Sequence, residues 1–161
     1  MKARRTLTPG QALEKIRHYC AYQERSHFEV REKLFGFGLN SQEVDSILAD
    51  LISEDYLNEE RFATLFAGGK FRLKKWGRVR ITYELKARKV SEYNVKLGIA
   101  SIDSQDYLNT INELIEKKMA LLIQEGYTGF ELRARTIAYL NQKGFEARLV
   151  QEAYQSISMK A

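Results

Sequence analysis

The sequence has a single proline, a single cysteine and two histidines among its 161 residues. Proline is the residue that most strongly interrupts helices, and Pro9 near the N-terminus leaves the rest of the chain free of it. Cys20 cannot form a disulfide within the chain, which favours a reducing compartment. With only His18 and His27 beside that cysteine, the common Cys/His zinc clusters are excluded.

Membrane, secretion and catalytic signals are missing as well. No apolar run approaches the roughly 20 residues that span a bilayer, and no apolar segment of a secretory signal follows Lys2, Arg4 and Arg5. The sequence has neither an H-E-x-x-H zinc motif nor a G-x-S-x-G nucleophile elbow. Glu59 and Glu60 are adjacent, as first-turn acids of a helix are, and so point to different faces. We therefore expect a cytoplasmic protein without a catalytic site, a metal or a cofactor. A monomer is expected as well.

The residues that are present predict an all-α protein. A content of 44% hydrophobic and 29% charged residues is typical of a folded domain. Apolar residues recur at spacings of three and four while the alternation of strands is nearly absent, which predicts nine helices. Capping-box patterns mark three of the helix starts, at Thr8 with Gln11, Asn40 with Glu43, and Thr128 with Glu131.

Comparison of the chain with itself indicates a repeat of about 50 residues. A shift of 51 residues matches six pairs of apolar positions: Phe28 with Val79, Val30 with Ile81, Leu34 with Leu85, Leu39 with Val90, Val44 with Val95, and Leu48 with Ile99. A shift of 55 continues the match, Leu85 with Leu140, Val90 with Phe145, and Val95 with Val150. The tetrapeptide Asp55–Asn58 recurs unchanged as Asp106–Asn109. We predict a tandem array of three three-helix repeats, residues 1–57, 58–103 and 104–161, with an elongated, curved, solenoid-like shape, right-handed or open.

Positive charge is concentrated in the second repeat. The chain carries a net charge of +5 with a pI near 9.3, which suggests an anionic partner. Residues 70–89, here called the basic segment, contain nine cations and one acid, Glu84, and are therefore +8, which leaves −3 for the remainder. We predict partner contacts from its cations and from the only tryptophan: Lys70, Arg72, Lys74, Lys75, Trp76, Arg78, Arg80, Lys86, Arg88 and Lys89.

Helical spacing sharpens this prediction. Gly77 predicts a break before a fifth helix through Ile81 and Leu85. On a helix over 74–89, Lys74, Arg78, Lys86 and Lys89 would lie on one face and Ile81 and Leu85 on another. A solvated face normally mixes both signs of charge, so the near absence of acids favours binding to a phosphate backbone or an acidic protein surface.

Two interpretations remain open for the aromatic residues. Trp76 is interpreted first as a loop anchor that packs on the core, and otherwise as a contact with a partner. The tyrosines are expected mostly to be buried or half-buried, although they could stack on bases; they include Tyr22, Tyr83, Tyr93, Tyr127 and Tyr139.

The central part of the chain resembles the RecX family, the regulatory proteins of the RecA recombinase. The resemblance is carried by Tyr56–Ala63, by Lys74–Ile81 and by Glu84-Leu85. It is supported in the first repeat by Arg25-Ser26, Glu29 and Lys33-Leu34, and in the third by Leu140 and Lys143-Gly144-Phe145. One departure is Lys89, which stands where the family usually has glycine in a Lys-Gly-hydrophobic turn; another is Val30 in place of leucine.

The resemblance implies a regulator without catalytic activity. Such a protein would bind RecA and the RecA–DNA filament in the filament groove, and would mainly inhibit the recombinase, ATPase and co-protease activities. It would act in DNA recombination, DNA repair and the SOS response, with weak binding to DNA as an addition and no membrane partner. The alternative is a direct DNA-binding protein, since each repeat ends in a pair of helices similar to a helix-turn-helix.

Overall fold

The computed structural model describes residues 6–160, which contain nine α-helices, one five-residue π-helical turn and no β-strand. The helices are α1 (Pro9–Tyr22), α2 (His27–Gly36), α3 (Ser41–Ser53), α4 (Glu59–Gly69), α5 (Arg78–Ala87), α6 (Glu92–Ala100), α7 (Ser104–Gln124), α8 (Gly129–Gln142) and α9 (Ala147–Met159); the π-helical turn is Lys70–Lys74. The all-α prediction is confirmed. Lys2, Arg4 and Arg5, on which the expectation about a secretory signal rests, lie outside the described residues.

The chain forms two compact units. Unit 1 comprises Met1–Phe66 and Leu85–Gly98, and unit 2 comprises Ala67–Glu84 and Ile99–Ala161. The largest fully buried side chains of unit 1 include Ile16, Leu34, Leu51 and Leu57. Those of unit 2 include Ile81, Tyr107, Ile111, Ile115 and Leu140. Helices α4 and α5 each contribute residues to both units.

Apolar periodicity located most of the buried positions. Four of the six sets of matched residues are buried in each repeat: Val30 with Ile81, Leu34 with Leu85 and Leu140, Leu39 with Val90 and Phe145, and Val44 with Val95 and Val150. The other two are not, because Phe28 and Ile99 are half-buried and Val79 is exposed. Helices α2, α5 and α8 begin at intervals of 51 residues, at 27, 78 and 129. Helix α8 has 14 residues where α5 has 10. This extra helical turn explains why the shift changes from 51 to 55 beyond it.

Residues of the stretch Tyr56–Ala63 cap the start of α4 in unit 1 and connect it to neighbouring residues. Asn58 caps the helix, because its Oδ1 accepts a hydrogen bond from the backbone N–H of Arg61 at 2.9 Å. The Arg61 guanidinium pairs with Glu24 at 2.6 Å and with Asp55 at 3.1 Å. Glu59 accepts a hydrogen bond from the backbone N–H of Ser91, ahead of α6. This stretch therefore has a structural role.

Two details of the sequence interpretation are wrong. The tetrapeptide Asp55–Asn58 forms the turn before α4, whereas Asp106–Asn109 lies inside α7, whose N-cap is Asp103. The capping boxes at Thr8 and Asn40 are confirmed, but the Thr128 side chain makes no capping hydrogen bond. Gly129 has a left-handed φ of 56° at the start of α8, and this backbone conformation replaces the expected cap geometry.

Helices α2, α5 and α8 end in the same left-handed turn. The residue in the left-handed conformation is Gly38 (φ 90°) after α2, Lys89 (φ 60°) after α5 and Gly144 (φ 94°) after α8. In the turn after α5, the N–H of Val90 returns to the carbonyl of Leu85 at 3.2 Å. Because glycine alone adopts this conformation without steric cost, Lys89 is strained where the other two repeats are relaxed.

We expect Lys89→Gly to raise the free energy of unfolding by about 0.5–1 kcal/mol, because it removes the Cβ penalty of a left-handed residue. Lys86→Gly is the matched control, since Lys86 is an exposed lysine inside α5. It should lose about 1 kcal/mol, the usual cost of glycine in a helix. Urea titration measures both, and a Lys89→Gly protein no more stable than the parent would contradict the assignment of strain.

Candidate partner-binding surface

The basic segment is divided between two helical elements and a turn. Helix α4 runs directly into the π-helical turn Lys70–Lys74, and Lys75 then adopts a left-handed conformation with φ 56°. The N–H groups of Lys75 and Trp76 return to the carbonyls of Phe71 and Lys70, at 3.1 and 3.3 Å, which ends the helix. Helix α5 begins only at Arg78. The break predicted at Gly77 is therefore confirmed, whereas the predicted helix face over 74–89 is wrong, and Lys74 does not share a helix face with Arg78.

The start of α5 lies against the turn between α8 and α9 within unit 2. The N–H of Gly77 donates to the carbonyl of Lys143 at 2.8 Å, and the N–H of Val79 donates to the carbonyl of Gly144 at 2.9 Å. These bonds satisfy donors that the first turn of a helix leaves without partners. The backbones approach so closely that a Cβ on Gly77 would lie 2.3 Å from Gly144 atoms. Only glycine fits there.

Arg78 completes this junction with a buried tyrosine. The Tyr107 hydroxyl accepts a hydrogen bond from the Arg78 N–H at 2.9 Å and donates one to Glu146. The Arg78 guanidinium stacks over the Tyr107 ring at 3.9 Å and pairs with Glu146 at 3.0 Å. Every polar group of this cluster thus has a partner. The charge of Arg78 is neutralised within the protein.

The Tyr107 ring is fully buried and packs between Phe71 and Phe145, with centroid distances of 5.7 and 5.3 Å. Burial raises the pKa of its phenol far above the ordinary value of 10.0, and the hydrogen bond and negative charge of Glu146 act in the same direction. The backbone hydrogen bond and the positive charge of Arg78 oppose this shift. Tyr107 is therefore a neutral hydrogen-bonding core residue at physiological pH.

Trp76 is half-buried and lies between two cations of the basic segment. The Lys70 ammonium is 5.1 Å from the ring centroid, and the Arg80 guanidinium is 4.2 Å from it. Both distances are those of cation–π contacts. No carboxylate of the described residues pairs with Arg80, so the stack orients its guanidinium without neutralising it.

The remaining cations of the basic segment divide into one paired arginine and five exposed side chains. Arg88, in unit 1, lies 3.6 Å from Glu29 and stacks over the Phe66 ring at 4.7 Å. The exposed cations are Arg72, Lys74 and Lys75 in unit 2 and Lys86 and Lys89 in unit 1. Lys75 also borders a cleft of about 390 Å³ whose other lining residues are Thr110, Glu113, Leu114, Glu116 and Lys117.

Two apolar residues of α5 are exposed, although the repeat places Val79 at the position equivalent to Phe28 and Tyr83 was expected to pack. Val79 is 57% exposed and Tyr83 is 71% exposed. The expectation that the tyrosines mostly pack is wrong for Tyr83, and also for Tyr22 and Tyr93, which are exposed. The spacing of four residues could have predicted this exposure, because it places Val79 and Tyr83 on one helix face while the buried Ile81 and Leu85 lie on another.

Among the described residues there is no reactive thiol, no metal-binding cluster and no membrane-spanning helix. Cys20 is buried, and desolvation raises the pKa of its thiol to about 11, so it stays protonated near neutral pH. Across residues 6–160, no group of three or more His, Cys, Asp or Glu side chains could hold a metal ion. In the same part of the chain, no helix has both the length and the apolar character required to cross a membrane.

Family models match two of the three predicted repeats. The model of the second three-helix domain of RecX matches residues 58–96, and the model of the third three-helix domain matches residues 105–154. Together they cover more than half of the chain. The chain belongs to the RecX family.

Relatives and solved structures agree with this assignment. The regulatory protein RecX of Clostridium perfringens (strain SM101) is 30% identical over 117 residues, which are 73% of this chain and 54% of the relative. The regulatory protein RecX of Lactobacillus johnsonii is 25% identical over 148 residues, 92% of this chain and 54% of the relative. The chain thus spans about half the length of these relatives. The crystal structure of RecX from Lactobacillus salivarius is similar in fold, with a TM-score of 0.85 at 16% identity over 94% of this chain and 97% of that one.

We expect Gly77→Ala to lower the free energy of unfolding of this RecX-family protein by about 3 kcal/mol, because the new methyl group must displace the backbone at Gly144. Gly69→Ala is the matched control, since a Cβ there meets nothing within 4 Å. It should gain about 0.5–1 kcal/mol from its helical backbone. Denaturant titration measures both, and equal stability of the two variants would refute the close approach.

We expect Tyr107→Phe to lose about 1–3 kcal/mol at neutral pH, because the N–H of Arg78 loses its acceptor. The difference in unfolding free energy between the parent and Tyr107→Phe should shrink as pH rises above 10. There the unfolded parent ionises Tyr107 while the native parent keeps it protonated, so the parent alone is destabilised, by about 1.4 kcal/mol per pH unit. Unfolding titrations from about pH 9 to 11 test this, and a difference that is constant with pH would contradict the raised pKa.

Proposed function

We propose that this protein is a regulatory protein that binds RecA and the RecA–DNA filament and mainly inhibits the recombinase, ATPase and co-protease activities. Membership of the RecX family is the observation that carries the proposal. Its relatives are named regulatory proteins RecX. The regulation is by binding, and the action is in the cytoplasm, where RecA filaments would form.

The exposed charges of the basic segment support a surface for an acidic partner. Arg72, Lys74 and Lys75 are exposed and lie on a turn that contains no acid. Exposed lysines and arginines raise the rate of encounter with an anionic surface and give binding a strong dependence on salt. We propose these three side chains, with Lys86 and Lys89, as the main electrostatic contacts among the ten predicted residues.

Arg78 and Arg88 have a different part in the proposal. Each is half-buried, stacks on an aromatic ring and has a carboxylate near its guanidinium, Glu146 for Arg78 and Glu29 for Arg88. Reversal of either charge would leave a half-buried carboxylate beside another one and destabilise the fold. A functional test must therefore leave both residues intact.

We expect the triple variant Arg72→Glu, Lys74→Glu and Lys75→Glu to bind RecA filaments at least about tenfold more weakly and to lose inhibition of the RecA ATPase. Each reversal removes the attraction of a cation to the acidic filament surface and adds the repulsion of a carboxylate by it. The measurements are filament co-sedimentation and ATPase assays at several salt concentrations, after thermal unfolding has verified the fold.

The matched control reverses three exposed cations outside the basic segment, Lys15, Lys96 and Arg148. Its net charge changes by the same amount, so it isolates location from total charge. A triple variant that inhibits RecA as well as the parent would refute this surface. Equal binding of the parent to bare DNA and to filaments would instead favour a direct DNA-binding protein.

A further inference from the structure

Helix α5 presents two apolar side chains to solvent within the most basic part of the chain. Val79 and Tyr83 are 57% and 71% exposed, and their spacing of four residues places them on one face of the helix. Ile81, between them in sequence, is fully buried. Exposed side chains of this size are common singly, and an exposed aliphatic side chain beside an exposed aromatic one provides a small continuous apolar area that a partner can cover.

The surroundings of this pair have the composition of a protein interface. Arg80 lies in the same turn of α5 and is oriented by its stack on Trp76, without a carboxylate partner among the described residues. Tyrosine and arginine are enriched at the centres of protein interfaces, and lysine belongs to their rims. Lys74 and Lys75, both exposed, precede α5 in the turn that leads to it.

We propose that Val79 and Tyr83 anchor a protein partner whose surface carries apolar side chains surrounded by carboxylates. The occupant follows from charge complementarity, because Arg72, Lys74 and Lys75 are exposed in the turn before α5 and Arg80 has no carboxylate partner among the described residues. Arg80 pairs with a carboxylate of the partner, and the lysines of the preceding turn face the acidic rim. This inference rests on the proposed function, and the partner is then the protein surface of the RecA filament.

A nucleic acid would use the same helix differently. The phosphate backbone takes its affinity from cations, and bases stack on aromatic rings. The isopropyl group of Val79 offers neither a charge nor a π-face. Binding to single-stranded DNA would therefore depend on Tyr83 and the cations and be insensitive to Val79, whereas an apolar protein anchor depends on both residues.

The test compares Val79→Ala and Tyr83→Ala with the parent chain. Tyr93→Ala is the matched control, since Tyr93 is a helical tyrosine that is also 71% exposed. Affinity is measured for RecA filaments on single-stranded DNA and for the bare DNA, across salt concentrations. We expect Tyr83→Ala to weaken filament binding at least about tenfold and Val79→Ala about threefold, with Tyr93→Ala unchanged. Neither loss should change the salt dependence, because no charge is removed.

The outcomes separate this inference from the proposed function. If the parent does not bind filaments, both fail. If the parent binds and both α5 variants bind equally well, the apolar anchor alone is overturned. Loss of affinity for bare DNA in Tyr83→Ala, equal to its loss for filaments and with Val79→Ala unaffected, assigns the helix to base stacking and also overturns it. Weaker filament binding in both variants with unchanged DNA binding supports the anchor.

Discussion

The close approach of Gly77 to Gly144 is the constraint on which the candidate surface depends. The first N–H groups of α5 need acceptors, and the carbonyls of Lys143 and Gly144 provide them only when neither glycine carries a side chain. A Cβ on Gly144 would lie 2.3 Å from Arg80. Once the two backbones meet, the N–H of Arg78 reaches the Tyr107 hydroxyl. The same contact thus fixes where the basic segment stops being a turn and becomes a helix.

Charge counted along a sequence overstates the charge that a partner can meet. Of the nine cations in the basic segment, four are half-buried and five are exposed. Arg78 shows why an internal role suits arginine, because its planar guanidinium stacks on Tyr107 and pairs with Glu146 at once, which a lysine cannot do. A half-buried charge costs desolvation free energy unless such partners offset it. The structure therefore separates cations that hold the fold from cations that face outward.

Much of the fold could be predicted because burial requires apolar residues at fixed helical intervals. Val30, Leu34 and Val44 identified the core of the first repeat and, through the repeat, that of the others. Gly77 predicts the break before α5, but the sequence does not predict the left-handed turn at Lys75, because the start of α5 depends on a tertiary contact of Gly77 with Lys143, 66 residues further along. Sequence identity alone does not fix local structure either, because the same four residues form a turn at Asp55 and lie inside a helix at Asp106.

The repeat also shows which residues of α5 need an explanation beyond the fold. A shift of 51 residues pairs Glu29 with Arg80 and Glu32 with Tyr83. In unit 1, Glu29 lies beside Arg88 and serves the protein itself. In unit 2, the equivalent Arg80 stacks on Trp76 with its charge unpaired among the described residues. Since the same helix position tolerates an acid in one repeat and an oriented cation in the other, the fold demands neither. Arg80 and Tyr83 are therefore the α5 side chains that the proposed partner surface uses, in addition to the internal stack of Arg80 on Trp76.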